Sequence, residues 1–150
     1  MALSTTDIAS WIAQLEVEGL TIKDLDEFPD EVNTIRDGPL LIPAPRFKTD
    51  ISIIRDSFGS GSVAKTTVYY TLNYRMLYAE LGTDRKMSDV YQNMVALTDL
   101  FTDTIIANDY NDYAVDLYIT SISAFGVVLD PSDNPFYGVD IAIRVKEFEN

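Results

Sequence analysis

One segment of the sequence comes close to a phosphate-binding loop. Residues 59–66, GSGSVAKT, match the pattern G-x-x-x-x-G-K-[ST] except at Ala64, where a second glycine would let the backbone curl around phosphate. A loop of this kind must also open a helix, whose N-terminus completes the anion site. The residues that follow Thr66 instead alternate like a β-strand. We therefore interpret the segment as a hairpin turn and predict no nucleotide or other cofactor there.

The carboxylates form only partial metal-binding patterns. Asp99 and Asp103 lie four residues apart, which places both on one face of a helix, but Mg²⁺ and Ca²⁺ need more oxygen ligands than two. Residues 130–134, DPSDN, echo a calcium loop but lack its glycine and its bidentate glutamate. We predict no metal site and interpret Asp99 and Asp103 as part of a solvated helix face.

Two residue types that carry much of enzyme chemistry are missing. The 150 residues include no cysteine and no histidine. Disulfides, thiolate nucleophiles and Ser-His or Cys-His catalytic arrangements are therefore excluded. The alternative within enzymes is a hydrolase that uses carboxylates or a metal without histidine, and it requires acidic residues that converge in a cleft. We expect a protein that is not an enzyme and that acts by assembling with other proteins.

The charge is strongly negative and unevenly distributed. Twenty-four acidic and 11 basic residues give a net charge of −13. Residues 1–50 contain ten acids and four bases, residues 51–100 five of each, and residues 101–150 nine and two. No cluster of Lys and Arg is present to grip a nucleic-acid backbone or anionic lipid. A cytosolic binding module whose acidity mimics nucleic acid is a further alternative, and it predicts salt-sensitive binding to a basic partner.

The N-terminus lacks the features of a signal peptide, and no run of about 18 apolar residues occurs in the sequence. We therefore expect a protein that stays in the cytosol where it is made.

Length and composition predict one domain over residues 1–150. Apolar residues at helical spacing predict helices over residues 5–18 and 88–107. Alternation predicts strands over 51–55, 63–80, 114–129 and 137–148.

We therefore expect an α+β fold, a mostly antiparallel β-sheet with two helices packed on one face, in the order α-β-β-β-α-β-β. The first of the three successive strands is a short apolar segment, Leu40, Leu41 and Ile42, between Pro39, Pro43 and Pro45. Proline withholds a backbone donor, so this segment is expected to be an edge strand or an extended arm. It lies either against a neighbouring subunit or on its own domain, and the sequence leaves both readings open.

Several aromatic residues are also candidates for an interface. Phe58 and Phe136 are expected at hairpin tips, and Tyr69 on the polar face of the long strand. Exposed aromatic side chains commonly anchor protein interfaces, although partial burial by neighbouring loops is the alternative. The full set of candidate subunit-interface residues is Leu40, Leu41, Ile42, Phe58, Tyr69, Phe136 and Tyr137.

The order of elements resembles a known family. The chain opens with LSTTDIASWI over residues 3–12, and the capped N-terminal helix over residues 5–18 leads to the proline-rich segment and an aromatic-rich, long-armed hairpin. A single central helix near residues 88–107 follows, and two C-terminal strands joined by a long loop end the chain. This arrangement covers nearly the whole chain and resembles the neck and tail-completion proteins of long-tailed bacteriophages, above all the tail terminator family. No signature motif accompanies it.

The resemblance implies a structural role in the virion. A tail terminator forms a ring, typically a hexamer, that ends the tail tube and joins it to the head. Its partners are then further copies of itself, the tail-tube protein and a head-closure or adaptor protein, assembled in the host cytoplasm. DNA passes through the ring without specific binding, and an acidic wall would let the duplex slide. The same resemblance leaves a head-closure protein, a head–tail adaptor or a tail-tube subunit as alternatives.

Overall fold

The computed structural model describes residues 5–27, 38–56, 65–81, 87–108, 110–111, 115–123 and 125–149. Within these ranges the chain forms two α-helices, α1 (Thr5–Ala13) and α2 (Met87–Ala107), and a short 3-10 helix over Leu25–Glu27. The strands of the same ranges are β1 (Thr21–Ile22), β2 (Leu40–Asp56), β3 (Lys65–Glu80), β4 (Tyr110–Asn111), β5 (Val115–Ile122), β6 (Gly126–Leu129) and β7 (Pro135–Glu149).

The strands join in one sheet whose centre is the long pair β3–β7. The order across the described sheet is β1-β2-β3-β7-β5-β4, and β6 pairs with β7 on the same side as β5. Every pairing is antiparallel except the two-residue contact between β1 and β2. The expected α+β fold with a mostly antiparallel sheet is confirmed.

Alternation along β3 explains which face of the sheet is buried. Tyr70, Leu72, Tyr74 and Met76 point to one face and are buried there, as the period of two predicts. The apolar stripe of α2 covers this face, and Ile8 and Ile12 of α1 join the same cluster. Both helices therefore pack on one face. The buried residues of the α2 stripe are Val90, Met94, Leu97, Phe101 and Ile105.

Helix α1 is shorter than the sequence indicates, since it ends at Ala13 instead of continuing to residue 18. The backbone tightens after it, because the Leu15 N–H bonds to the Ile12 carbonyl three residues earlier. Val17 and Leu20 then face each other across an antiparallel bridge, with Gly19 at φ +82° in the turn between them. In this turn both Val17 and Leu20 are buried and belong to the main core.

Two strand boundaries also differ from the expectation. The proline segment and residues 51–55 form a single strand, β2, whose pairing with β3 has two irregularities: Pro45 lies in the first, between Pro43 and Lys48, and the second lies between Thr49 and Ser52. Arg46 and Asp50 take positive φ values of 59° and 54° within these irregularities. Near the C-terminus, the strand expected over 114–129 is broken between β5 and β6, and both parts pair with β7.

Candidate assembly interface

Four of the seven predicted interface residues are buried in the chain's own fold. Leu41 lies in the main core under the helices. Leu40, Ile42 and Phe136 form a second, smaller cluster with Leu77 on the opposite face of the sheet. The proline segment is thus part of its own sheet, and the structure offers none of these four side chains to a neighbouring subunit. The expectation that Phe136 lies at a hairpin tip is corrected, since it pairs within the sheet with Glu80 and Val128.

The other three predicted residues are placed differently from one another. Tyr69 is half-buried on the face of β3 that the helices leave uncovered, as expected. The guanidinium carbon Cζ of Arg144 lies 5.6 Å from the centre of the Tyr69 ring, and Nζ of Lys146 lies 5.7 Å from it. Both distances are within the range of a cation–π contact. Tyr137 is partly buried against the main core. Phe58 lies outside the described residues.

The first exposed apolar surface lies on the outer side of β2, and its residues are not among those predicted from the sequence. Ile51, Ile53 and Ile54 are all exposed, with Ile53 at 68%. Within the described part of the chain, β2 pairs beyond Leu41 with β3 alone, so its outer backbone edge is open. We call residues 51–55 the β2 edge. Two successive isoleucines in a strand face opposite sides, so one of them had to point away from the core face, and the sequence carried that signal.

The second surface is a groove between the end of α2 and strand β5. It has a cavity volume of about 410 Å³, and Thr102, Ile105 and Ile106 form its helical wall. Residues 117–122 of β5 form the other wall. Ile106 is 64% exposed, and Tyr118 and Ile122 are also exposed. We call this surface the α2–β5 groove. In the described ranges only the two residues of β4 cover the outer side of β5, at Val115 and Asp116.

These two surfaces lie at opposite ends of the sheet. Strands β3 and β7 separate β2 from β5, which puts the two edges roughly 15 Å apart at three interstrand spacings. Each pairing along this path is antiparallel, so β2 runs opposite to β5. A contact between two such different surfaces is heterologous and repeats from copy to copy.

The strand that carries the β2 edge and the helix that forms one wall of the groove have charge balances of opposite sign. Residues 40–56 contain Arg46, Lys48 and Arg55 against Asp50 and Asp56, a balance of +1. Residues 87–107 contain three aspartates and no basic residue, a balance of −3. Of these aspartates, Asp99 and Asp103 are exposed on α2, where the sequence predicted a solvated helix face, and Asp103 directly follows the groove-lining Thr102.

In the described part of the chain, no group of three or more Asp or Glu side chains is placed to hold a metal ion. Asp130 uses its carboxylate to order its own turn, since Oδ1 accepts the N–H groups of Ser132 and Asn134. The loop that echoed a calcium site is therefore held by protein donors. Of the phosphate-loop motif, Lys65 and Thr66 begin strand β3, as predicted, and the preceding residues lie outside the described ranges.

Two buried tyrosines, Tyr70 and Tyr74, have pKa values raised well above the usual value for tyrosine. The Tyr70 hydroxyl donates a 2.7 Å hydrogen bond to Oε1 of Glu147, which is also buried. Burial, and then the neighbouring Glu147 carboxylate, raise the pKa of Tyr70. Burial also raises the pKa of Tyr74, with a smaller contribution from Asp24. Both tyrosine rings belong to the main core beneath the helices, and neither residue lines the α2–β5 groove or the β2 edge.

Neither helix in the described part of the chain is long and apolar enough to cross a lipid bilayer.

No protein-family model matches the sequence, and no curated protein matches it.

Proposed function

We propose that this protein is a structural subunit that associates head to tail into a ring, and that the ring ends the tail tube of a long-tailed phage particle. The observation that carries the ring is the presence of two different exposed apolar surfaces, the β2 edge and the α2–β5 groove, at opposite ends of one sheet. A heterologous contact closes into a ring when its rotation permits, and otherwise extends as a filament.

The assignment to a phage tail rests on the order of elements. A short N-terminal helix, a long hairpin (β2 and β3), a central helix (α2) and a C-terminal sheet follow one another as in the tail terminator family. A net charge of −13 suits a ring around a DNA channel, because an acidic wall repels the duplex and lets it pass. The axial partners of such a ring are the tail-tube protein on one side and a head-closure or adaptor protein on the other.

The same surfaces would also serve a tail-tube subunit or a head–tail adaptor. The difference between these roles lies in what happens after the first ring. A tube subunit stacks ring upon ring into long polymers, whereas a terminator stops at one ring and blocks further growth of the tube. Self-assembly of the purified protein therefore distinguishes the alternatives.

The oligomeric state tests the proposal directly. We expect native mass spectrometry across a concentration series to show a single closed oligomer, and negative-stain images to show uniform rings with a central hole. Added to polymerising tail-tube protein, the ring is expected to cap the tubes and limit their length. A monomer at every concentration, with the tail-tube protein present, would contradict the ring. Rings that leave tube length unchanged would contradict the terminator role alone.

A further inference from the structure

We infer that the α2–β5 groove receives the β2 edge of a second copy of this chain. In this contact Ile53 enters the groove and β2 adds to the neighbouring sheet antiparallel to β5. The inference rests on the proposed function, since it identifies the two surfaces through which the ring closes. It also fixes the direction in which successive copies follow one another.

The first argument is the face on which Ile53 lies. Ile53 is the register partner of Val68, and Val68 packs against the main core beneath the helices. Register partners share a face of an antiparallel sheet, so Ile53 points to the helix side. The α2–β5 groove opens on that same side, because Ile105 and Ile106 of α2 line it. A neighbouring sheet that continues in the same plane therefore brings Ile53 to the groove.

The second argument is the backbone. Beyond Asp116, the outer side of β5 has no strand partner among the described residues. The β2 edge is equally open on its outer side within those ranges. Open edges present unpaired N–H and C=O groups, and pairing them with another chain is a standard mode of association. When copies follow one another in the same orientation, β2 of one copy runs antiparallel to β5 of the next, as the strands within each sheet do.

The third argument is charge, which favours a second copy over an unrelated partner. The strand that enters has a balance of +1, and the helix that receives it has a balance of −3. Opposite charge balances on β2 and α2 of one chain attract copies in the head-to-tail orientation and oppose groove-to-groove contact. The exposed isoleucines on both surfaces, Ile53 and Ile106, then leave water together.

Cross-linking between two single-cysteine variants tests the contact, and the absence of native cysteine keeps the background low. Ile53→Cys and Ile106→Cys each replace an exposed side chain, so both variants are expected to fold. Mixed and treated with a short bis-maleimide, they are expected to give a covalent dimer, whereas each alone is not. The matched control is Leu100→Cys, which is 48% exposed on the same helix but does not line the groove.

The outcomes separate this inference from the proposed function. A mixture of Ile53→Cys and Ile106→Cys that cross-links above the Leu100→Cys control supports the contact. Intact rings without that excess would overturn the inference and leave the ring standing. A monomeric protein would overturn both. Efficient cross-linking of Ile106→Cys with itself would instead show a symmetric groove-to-groove contact and refute the head-to-tail arrangement.

Charge reversal gives an independent measurement. Asp103→Lys places a positive charge beside the groove, and we expect the midpoint concentration for assembly to rise roughly two- to fivefold, the range of one exposed ion pair. The increase should shrink as salt is added, because exposed charges are screened. Glu16→Lys makes the same charge change at an exposed site outside both surfaces and serves as the control. Equal shifts for the two variants would show that net charge alone is responsible, contrary to the inference.

Discussion

Two buried tyrosines on one face of β3 provide a matched test of how the core is stabilised. Tyr70 and Tyr74 are both almost completely buried, and each carries one hydroxyl group. The Tyr70 hydroxyl donates to the buried Glu147 carboxylate, whereas the Tyr74 hydroxyl finds no partner among the described residues. Replacing each by phenylalanine removes the same oxygen atom from two different environments. We expect the two variants to differ in their free energy of unfolding.

The magnitudes follow from the hydrogen bonds. A hydrogen bond to a charged group contributes about 1.5–3 kcal/mol, so Tyr70→Phe should lower the free energy of unfolding by about 2 kcal/mol. Part of this loss arises because the buried Glu147 loses a donor at 2.7 Å. A buried hydroxyl without a partner destabilises the fold, so Tyr74→Phe should leave the stability within about 0.5 kcal/mol of the wild type or increase it.

Measurements at alkaline pH test the same two tyrosines independently, because the pKa of each is raised above its usual value of 10.0 in the folded chain. Their contribution to stability is therefore complete below pH 10 and is lost as the pH rises above it, where the unfolded chain ionises first. One such group lowers the free energy of unfolding by about 1.4 kcal/mol between pH 9 and pH 11. Relative to the wild type, Tyr74→Phe should gain about that amount at pH 11.

Urea unfolding at one fixed protein concentration measures these values. Trp11, the single tryptophan, packs partly against the main core, so its fluorescence reports on loss of the fold. Equal destabilisation by Tyr70→Phe and Tyr74→Phe at pH 7 would refute the assignment of the hydrogen bond to Glu147. An unchanged difference between wild type and Tyr74→Phe from pH 8 to pH 11 would refute the raised pKa of Tyr74.

Three further substitutions test the sheet and its turn by thermal and urea unfolding. Gly138→Ala would press its Cβ into a carbonyl oxygen of β3 and should destabilise the fold by at least about 2 kcal/mol, whereas Gly126→Ala meets open space and serves as its control. Asp140→Asn breaks a two-point ion pair with Arg75 (2.7 and 3.1 Å) and should lose about 1 kcal/mol at low salt and less at high salt, because both partners are partly exposed. Asp130→Ala removes the acceptor of two backbone N–H groups and should lose about 1–3 kcal/mol, and a loss below about 0.5 kcal/mol would show that the turn holds without it.

Local periodicity predicted the central elements well. The helix expected over 88–107 is observed over Met87–Ala107, and the buried face of β3 follows the predicted alternation. Each of these elements carries its own repeat over many residues, so its type and its buried face are set by nearby side chains. Helix α1 was predicted less well: it ends at Ala13, and the turn around Gly19 that follows places Val17 and Leu20 in the core, although the apolar spacing of residues 5–18 also fits a longer helix.

The exposure of the candidate interface residues was predicted poorly for a related reason. Composition pointed to the proline segment and to exposed aromatics, but Ile42 and Phe136 cover each other within the fold. For the isoleucines of the β2 edge, the alternation predicts only a strand and not their exposure. Residues that are far apart in the sequence can pack against each other in the fold. For this reason, neither the burial of Phe136 nor the exposure of Ile53 can be predicted from the neighbouring residues in the sequence.

The sequence by itself determined the charge, the missing histidine and cysteine, and therefore the chemistry that its residues exclude. It also determined the helices and strands that have long repeats. Only the tertiary structure decided which apolar residues remain exposed. Ile42 and Ile53 lie on the same strand, yet one is buried and the other is 68% exposed. The reason is that Phe136 and Leu77 pack over the part of β2 that contains Ile42. Around Ile53, by contrast, the described residues leave the side chain exposed.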